Sequence, residues 1–351
     1  MRIASGLAVL LWMTAAQGYG QTAGNRPVVH VLSTGGTIAG QGTSSTSLTQ
    51  YKAGAVSGAD LVRGVPEIAR IADVRVEQIA NVSSTDITVE HWLTLANRIN
   101  RIFSEEPETA GVVITHGTNT MEETAYFLHL TVKHDRPVVM VGSMRPSTAI
   151  SADGPLNLLN AVRVAAAPEA RGKGVLVVLN DQINGARDVT KTNTQRVETF
   201  HSPDFGFLGY VDGDKISFYR APLKRHTTQS EFDVAGLKEL PPVEILYSYV
   251  QPSPVLIQAL AASGVKGIVI AGTGMGLVSK GEKDALAKVK GPVIVRSNRT
   301  GSGRVAPRDE YEAMGMVAAD TLNPQKARIL LMLALTKTSK IDDFRRIFEQ
   351  Y

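Results

Sequence analysis

The sequence of 351 residues contains no cysteine. This absence excludes disulfide bonds, a cysteine nucleophile and zinc bound by thiolates. A strong excess of charge is lacking as well, since 37 Lys and Arg stand against 33 Asp and Glu and give a net charge of +4. The basic residues form no block along the chain, so we expect no nucleic-acid partner.

Several common catalytic motifs are also missing. No lysine follows the glycines of LSTGGTIAG at residues 32–40, as a phosphate-binding loop requires. The Gly-x-Ser-x-Gly elbow of serine hydrolases is absent, and the seven histidines form no zinc-binding His-Glu-x-x-His pair. AGTGMGLV at residues 271–278 matches a dinucleotide turn only weakly, because Leu277 stands in place of the third glycine. These motifs therefore give no support for a nucleotide cofactor or for zinc-dependent hydrolysis.

The N-terminal segment differs from the rest of the chain. Arg2 precedes an apolar stretch from Ile3 to Ala16, and small residues follow it. This layout is typical of a secretory signal peptide, and the stretch is too short for a good membrane span. We predict a signal peptide at residues 1–24, a periplasmic or secreted protein, and no membrane contact once the signal is removed. A buried N-terminal helix is the alternative.

What is present is a soluble, globular composition with 43% apolar and 20% charged residues. Short apolar runs such as GVVITHG, PVVMVGS and GVLVVLND alternate with amphipathic stretches such as EHWLTLANRINRIF. This alternation predicts an α/β fold whose mostly parallel sheets are flanked by helices. We expect a larger N-terminal domain at residues 25–220, a polar linker at 221–242 and a smaller C-terminal α/β domain at 243–351.

Two of the predicted strands end in loops rich in threonine and glycine. TGGT at residues 34–37 and THGTNT at 115–120 each follow an apolar run. Ligands of parallel sheets bind beyond the carboxyl ends of the strands, so both loops are candidates for a site. A threonine hydroxyl can attack once a base takes its proton, and glycine lets backbone N–H groups approach a developing oxyanion. For one such loop alone, a plain glycine turn with a capping threonine is the alternative.

Five segments in order give a resemblance: STGGTIAG, THGTNTMEETAYF, MRPSTAISADGPLNLLNAV, DVTKTNT and TLNPQKARILLMLALT. Together they resemble the secreted bacterial L-asparaginases and glutaminase-asparaginases, from about residue 27 to Tyr351. The resemblance implies hydrolysis of the side-chain amide of L-asparagine and L-glutamine through a threonine acyl-enzyme, without cofactor or metal. It also implies a homotetramer built from intimate dimers, with sites at the dimer interface.

The resemblance further implies roles for individual residues. The implied catalytic residues are Thr37 as nucleophile, Tyr51 on a mobile lid, Thr118, Lys191 paired with Thr118, and Glu310 from a neighbouring subunit. The implied substrate-binding residues are Gly36, Ser84, Thr85, Asn119 and Ser143. Glu312 is an alternative to Glu310. Lys191 can act as a base only if burial lowers its pKa, whereas most lysines lie on the surface. For His116, we expect a structural role rather than acid–base chemistry.

Two positions depart from the family pattern. Asn119 replaces the aspartate that would face the α-ammonium of the substrate, and Leu277 replaces a small polar residue near the partner's site. These departures leave two other functions open. One is a periplasmic amino-acid-binding protein without turnover, and the other is an amidohydrolase for substrates that lack a free α-ammonium.

Overall fold

Two β-sheets of different size organise residues 26–351, the part of the chain that this computed structural model describes. The predicted signal peptide at residues 1–24 lies outside the described residues. The strands before residue 221 are β1 Val28–Gly35, β2 Gln41–Gly42, β3 Tyr51–Lys52, β4 Asp73–Val82, β5 Thr109–Thr115, β6 Val138–Val141, β7 Val175–Leu179, β8 Gln182–Gly185, β9 Thr190–Lys191, β10 Phe200–His201, β11 Gly209–Asp212 and β12 Lys215–Phe218. The helices of this part are α1 Gly58–Arg63, α2 Val89–Glu105, α3 Met121–Thr131 and α4 Gly154–Ala166.

The large sheet has eight strands in the order β12-β11-β8-β7-β6-β5-β1-β4. Strands β4, β1, β5, β6 and β7 run parallel, while β8, β11 and β12 extend the sheet as antiparallel strands. Consecutive apolar residues enter cores on opposite faces: Val112 and Ile114 lie in one apolar cluster and Val113 in the other. The continuous apolar runs of the sequence therefore mark strands that are buried on both faces.

The smaller sheet is parallel throughout, in the order β13-β14-β15-β16. Its strands are β13 Val243–Tyr247, β14 Gly267–Gly272, β15 Val293–Asn298 and β16 Val317–Ala318. Its helices are α5 Val255–Ala262, α6 Lys280–Leu286, α7 Asp309–Glu312, α8 Pro324–Ala334 and α9 Ile341–Gln350. The predicted fold class, a larger α/β domain followed by a smaller one, is confirmed. Among residues 26–351, no helix combines the length and apolar character needed to cross a membrane.

The segment between the two sheets is polar in sequence but anchored in the structure. It contains only a 3-10 turn at Thr227–Gln229, yet Phe232 is fully buried and its ring lies 5.0 Å from that of the C-terminal Tyr351. The Tyr351 hydroxyl in turn accepts a hydrogen bond from the backbone N–H of Glu231 at 2.8 Å. One apolar cluster continues from α3 into α8, so the two α/β parts share a core.

Candidate active site

The nucleophile loop candidate is formed where β1 ends. Gly36 has a φ of +82°, and a Cβ atom there would lie 2.3 Å from the Cα of Gly117 on the neighbouring loop. Only glycine fits, because the conformation is left-handed and the two loops touch through their backbones. The N–H of Gly36 donates to the carbonyl of Val82 at 2.9 Å. Gly36 therefore permits the close approach of the two loops, and its own N–H is not free for a substrate.

Thr37 follows at the start of the 3-10 turn Thr37–Ala39 and is only 8% exposed. Its hydroxyl lies 2.8 Å from the hydroxyl of Tyr51. The other threonine of the motif is engaged differently, since the Thr34 hydroxyl donates to the carbonyl of Thr115 at 2.9 Å. One hydroxyl of TGGT thus faces a second hydroxyl that can exchange a proton, while the other ties β1 to β5.

Tyr51 is held by a small antiparallel ladder in which β3 pairs with β2. The loop between these strands is closed against residues 147–150, since the N–H of Ile150 donates to the carbonyl of Ser45 and that of Ser147 to Gly40, both at 2.8 Å. The segment predicted as a lid is therefore hydrogen-bonded to residues 147–150, and the Tyr51 hydroxyl lies 2.8 Å from that of Thr37.

The second threonine loop meets Lys191. Its ammonium donates to Thr118 Oγ1 at 2.8 Å and to Asn119 Oδ1 at 3.0 Å. Burial lowers the pKa of Lys191 below its ordinary value, and the negative charge of Glu122 offsets part of that lowering. Lys191 is thus partly buried, and it releases its proton more readily than an exposed lysine does.

Ser84 and Thr85 are expected to hold a substrate carboxylate, and Ser143 is expected to present its backbone carbonyl near the side-chain amide. Ser84 is buried, and its hydroxyl accepts a hydrogen bond from the N–H of Asn119 at 3.1 Å. Thr85 is exposed, and its hydroxyl lies 2.9 Å from that of Ser83. Ser143 is fully buried at the end of β6 and donates its hydroxyl to the carbonyl of Arg145 at 2.6 Å. The structure thus brings Ser84 to the Thr118 loop, and the substrate contacts of Ser84, Thr85 and Ser143 stay predictions.

Glu310 lies in the C-terminal part of the chain, on α7. Its carboxylate pairs with Lys283 at 2.7 Å and with Arg308 at 3.4 Å, and the alternative Glu312 lies 3.8 Å from Arg345. Within residues 26–351, no hydrogen bond or ion pair links Glu310 to Thr37 or Lys191. A role in the site of a neighbouring subunit therefore stays a prediction.

Two other residues singled out in the sequence, His116 and Leu277, make contacts that support the fold. His116 is fully buried between the carbonyl of Gly117 at 2.7 Å and the hydroxyl of Thr124 at 3.0 Å. Burial lowers the pKa of His116 to about 4, so the ring is neutral at pH 7 and unsuited to shuttling protons. Leu277 closes a turn with Thr273 and packs on the apolar cluster of the C-terminal part.

Sequence reasoning missed a buried carboxylate behind Lys191. Glu122 is 5% exposed and accepts hydrogen bonds from Thr190 Oγ1 at 3.0 Å and from the N–H of Lys191 at 3.3 Å. A signal was available, because most residues of α3 are apolar, and a glutamate on the buried side of such a helix needs hydrogen-bond partners. In the described part of the chain, no group of three or more His, Asp or Glu side chains is arranged to hold a metal ion.

Comparison with known protein families agrees with this geometry. Residues 28–224 match the family model of the asparaginase N-terminal domain, and residues 242–348 match that of the glutaminase/asparaginase C-terminal domain. The chain belongs to the asparaginase family. The resemblance inferred from the five sequence segments is confirmed.

Individual members of the asparaginase family are similar over nearly the whole chain. L-asparaginase 2 of Bacillus subtilis is 53% identical over 327 residues, which cover 93% of this chain and 87% of that protein. L-asparaginase 2 of Escherichia coli is 50% identical, covering 93% of each. Glutaminase-asparaginase of Pseudomonas fluorescens is 47% identical, covering 92% of this chain and 90% of the relative. The crystal structure of a probable cytoplasmic L-asparaginase from Campylobacter jejuni superposes with a TM-score of 0.91 at 51% identity, covering 93% of this chain and all of that one.

Proposed function

We propose that this member of the asparaginase family hydrolyses the side-chain amide of L-asparagine, and also that of L-glutamine, to the acid and ammonia. The observation that carries the proposal is the pairing of two threonine hydroxyls on adjacent strand ends, each with its own proton-handling partner. Thr37 has Tyr51 at 2.8 Å, and Thr118 has Lys191 at 2.8 Å. Relatives named L-asparaginase and glutaminase-asparaginase support the same substrates.

The proposed reaction has two steps. Thr37 Oγ1 attacks the amide carbon, the new C–O bond replaces the C–N bond, and an ester to Thr37 forms. The proton of the hydroxyl leaves through its hydrogen-bonded partners, and the departing nitrogen takes up a proton and leaves as ammonia. Water then cleaves the ester and regenerates Thr37. Tyr51, Thr118 and Lys191 are the groups that we assign to these proton transfers, and Ser84 and Thr85 those that hold the α-carboxylate.

The experiment that tests the function is direct. Purified protein is incubated with L-asparagine or L-glutamine, and released ammonia is measured together with ligand binding by calorimetry. We expect ammonia and aspartate from L-asparagine in equal amounts. Tight binding of L-asparagine without any ammonia would instead identify an amino-acid-binding protein.

We also propose an exported homotetramer with domains at residues 25–220 and 243–351, joined by 221–242. The N-terminal segment of the sequence supports export, and a relative from Haemophilus influenzae is named a probable periplasmic L-asparaginase. Association is supported by exposed apolar side chains on and after the edge strand β13, namely Ile245, Tyr247, Tyr249, Val250, Val255 and Leu256. Such a run of exposed apolar residues favours a protein–protein interface.

Substrate discrimination depends on Asn119. Its carbonyl oxygen already accepts the hydrogen bond from Lys191, which leaves the NH₂ group and one lone pair of that neutral oxygen for the substrate. A donor NH₂ cannot accept from an α-ammonium, whereas a carboxylate could accept from both cations. Asn119→Asp is therefore expected to raise kcat/KM for L-asparagine about tenfold, since a charge-assisted hydrogen bond contributes roughly 1.5–3 kcal/mol.

The control for Asn119→Asp is N-acetyl-L-asparagine, which has no α-ammonium and should gain nothing. Steady-state ammonia release from both compounds separates the two effects. A drop in activity on L-asparagine would mean that another carboxylate already supplies the charge, and two carboxylates now repel each other. Unchanged kinetics on both compounds would show that position 119 does not contact the ammonium.

A shared site predicts complementation between subunits. Chains carrying Thr37→Ala and chains carrying Glu310→Ala should each be inactive alone, whereas hybrids prepared by denaturing and refolding them together should regain part of the activity. The matched control is Glu312→Ala on the same helix, which should be active by itself. Inactive hybrids whose mixed composition is proved by mass spectrometry would reject Glu310 as the shared residue.

A further inference from the structure

The carboxylate of Glu122 connects three parts of the chain. It lies in the first turn of α3, three residues after Asn119 and four after Thr118. Oε1 accepts hydrogen bonds from the side chain of Thr190 and the backbone of Lys191, which form β9. Oε2 accepts a hydrogen bond from Asn323 Nδ2 at 2.9 Å. One buried carboxylate thus joins the threonine loop, the strand of the lysine and the C-terminal domain.

Helix α8 completes this arrangement from the other domain. Asn323 is its N-cap and accepts from the N–H of Lys326 at 3.1 Å while its NH₂ group reaches Glu122. The Lys326 ammonium is fully buried and donates to the carbonyls of Arg187 at 2.9 Å and of Val189. These carbonyls belong to the residues just before β9, the strand that contains Lys191. The C-terminal domain is therefore hydrogen-bonded to the backbone where β9 begins.

The buried charges of Glu122 and Lys326 stabilise each other. Lys326 Nζ lies 4.0 Å from Glu122 Oε2, and burial lowers the pKa of Lys326 to about 8. A buried ammonium without a nearby anion is strongly disfavoured, as is a buried carboxylate without donors. Burial of either charge is therefore favourable only when the other is buried beside it. Because both groups are hydrogen-bonded to the backbone of residues 187–191, this backbone is fixed with them.

We propose that Glu122, Asn323 and Lys326 form a positioning unit through which the C-terminal domain holds the Lys191 strand in register with Thr118. This inference rests on the proposed function, in which Lys191 handles a proton of the reaction. None of the three residues is assigned a contact with the substrate. They act through Lys191, whose hydrogen bond to Thr118 depends on where β9 lies.

The charge of Glu122 gives this role a measurable signature. The titratable groups on the elements around β9 are Glu122, Glu123, Tyr126 and His129 on α3, Lys326 and Arg328 on α8, Arg187 and Asp188 ahead of the strand, and His201 on β10. Of these, Glu122 is the charge that acts on Lys191, and it raises the pKa of that lysine. Removing the negative charge makes the protonated ammonium less favourable, so the pKa of Lys191 falls further. If unprotonated Lys191 is the active form, the ascending limb of the pH profile moves to lower pH.

The test compares Glu122→Gln with Glu123→Gln. For Glu122→Gln we expect kcat on L-asparagine to fall about tenfold to a hundredfold through a misplaced Lys191, with KM little changed. We also expect the ascending limb of kcat against pH to shift to lower pH. Glu123→Gln removes a neighbouring carboxylate of the same helix that makes no hydrogen bond to β9, and both quantities should match the unsubstituted protein.

Three outcomes would overturn the proposal. The first is an unchanged kcat and pH limb in Glu122→Gln, while Lys191→Met is inactive. The second is a lower kcat without any shift of the limb, which is what a merely structural role would give. The third is an equal effect of Glu123→Gln. Full activity of Lys191→Met would instead reject the proposed function itself.

A milder pair of substitutions serves if Glu122→Gln does not fold. Thr190→Val removes one donor to Glu122 and keeps the side-chain shape, and kcat is expected to fall severalfold because the carboxylate is held less firmly against β9. Thr192→Val is its control, since the Thr192 hydroxyl donates instead to the carbonyl of Thr199. Equal kinetics of the two folded variants would count against the positioning unit.

Discussion

Thr37→Ala is expected to reduce ammonia release from L-asparagine by more than about a thousandfold, because no other group replaces a lost nucleophile. The fold should persist. The Thr37 hydroxyl makes a single side-chain hydrogen bond, to Tyr51, and the loss of one such bond costs roughly 0.5–1.5 kcal/mol. Steady-state ammonia release and thermal melting of the same preparation measure both effects.

Thr34→Ala is the matched control for this prediction. It removes a hydroxyl from the same TGGT segment, but one that donates to the buried carbonyl of Thr115. We expect it to lower the melting temperature while most of the activity remains, the reverse of Thr37→Ala. Turnover in Thr37→Ala close to that of the unsubstituted protein would show that another residue attacks the amide.

The fold could be predicted because its strands are buried on both faces. Runs such as GVVITHG are apolar at consecutive positions, and helices cover both sides of such strands. The antiparallel extension by β8, β11 and β12 was not predicted, since each of these strands is only four residues long and contains polar residues. The docking of residues 221–242 was missed for a similar reason. A few isolated apolar residues, Phe232 above all, anchor a segment whose composition is polar.

The threonine loops of the candidate site could be predicted because short sequence patterns are enough to identify them. A glycine beside a threonine after an apolar run is visible in the sequence, and the structure shows that Gly36 has a positive φ and that β1 and β5 are adjacent parallel strands. The surroundings of Lys191 could not be read in the same way. Its partner Thr118 is 73 residues away, and the contact of Glu122 with Asn323 spans 201 residues. Such contacts depend on how the two domains pack, which no local pattern specifies.

Lys191→Met is expected to lower kcat on L-asparagine by about a hundredfold to ten-thousandfold, the range for loss of a positioned acid–base group, with a much smaller change in KM. The reason is geometric and electrostatic. The lysine ammonium contacts Thr118 and Asn119, and burial lowers its pKa, which makes loss of its proton easier than for an exposed lysine. Steady-state kinetics over a range of pH, with calorimetric binding of L-aspartate to the variant, separate turnover from affinity.

Two controls make the role of Lys191 specific. Lys52→Met removes an exposed lysine next to Tyr51 and should leave kcat unchanged. Lys191→Arg keeps a positive charge and hydrogen-bond donors near Thr118 but cannot give up a proton, because the high pKa of a guanidinium keeps it protonated. If proton transfer is the role of Lys191, the arginine variant is as impaired in kcat as the methionine variant. A substantially active Lys191→Arg, or a loss confined to KM, would show that the charge at this position binds the substrate and that the proton passes through another group.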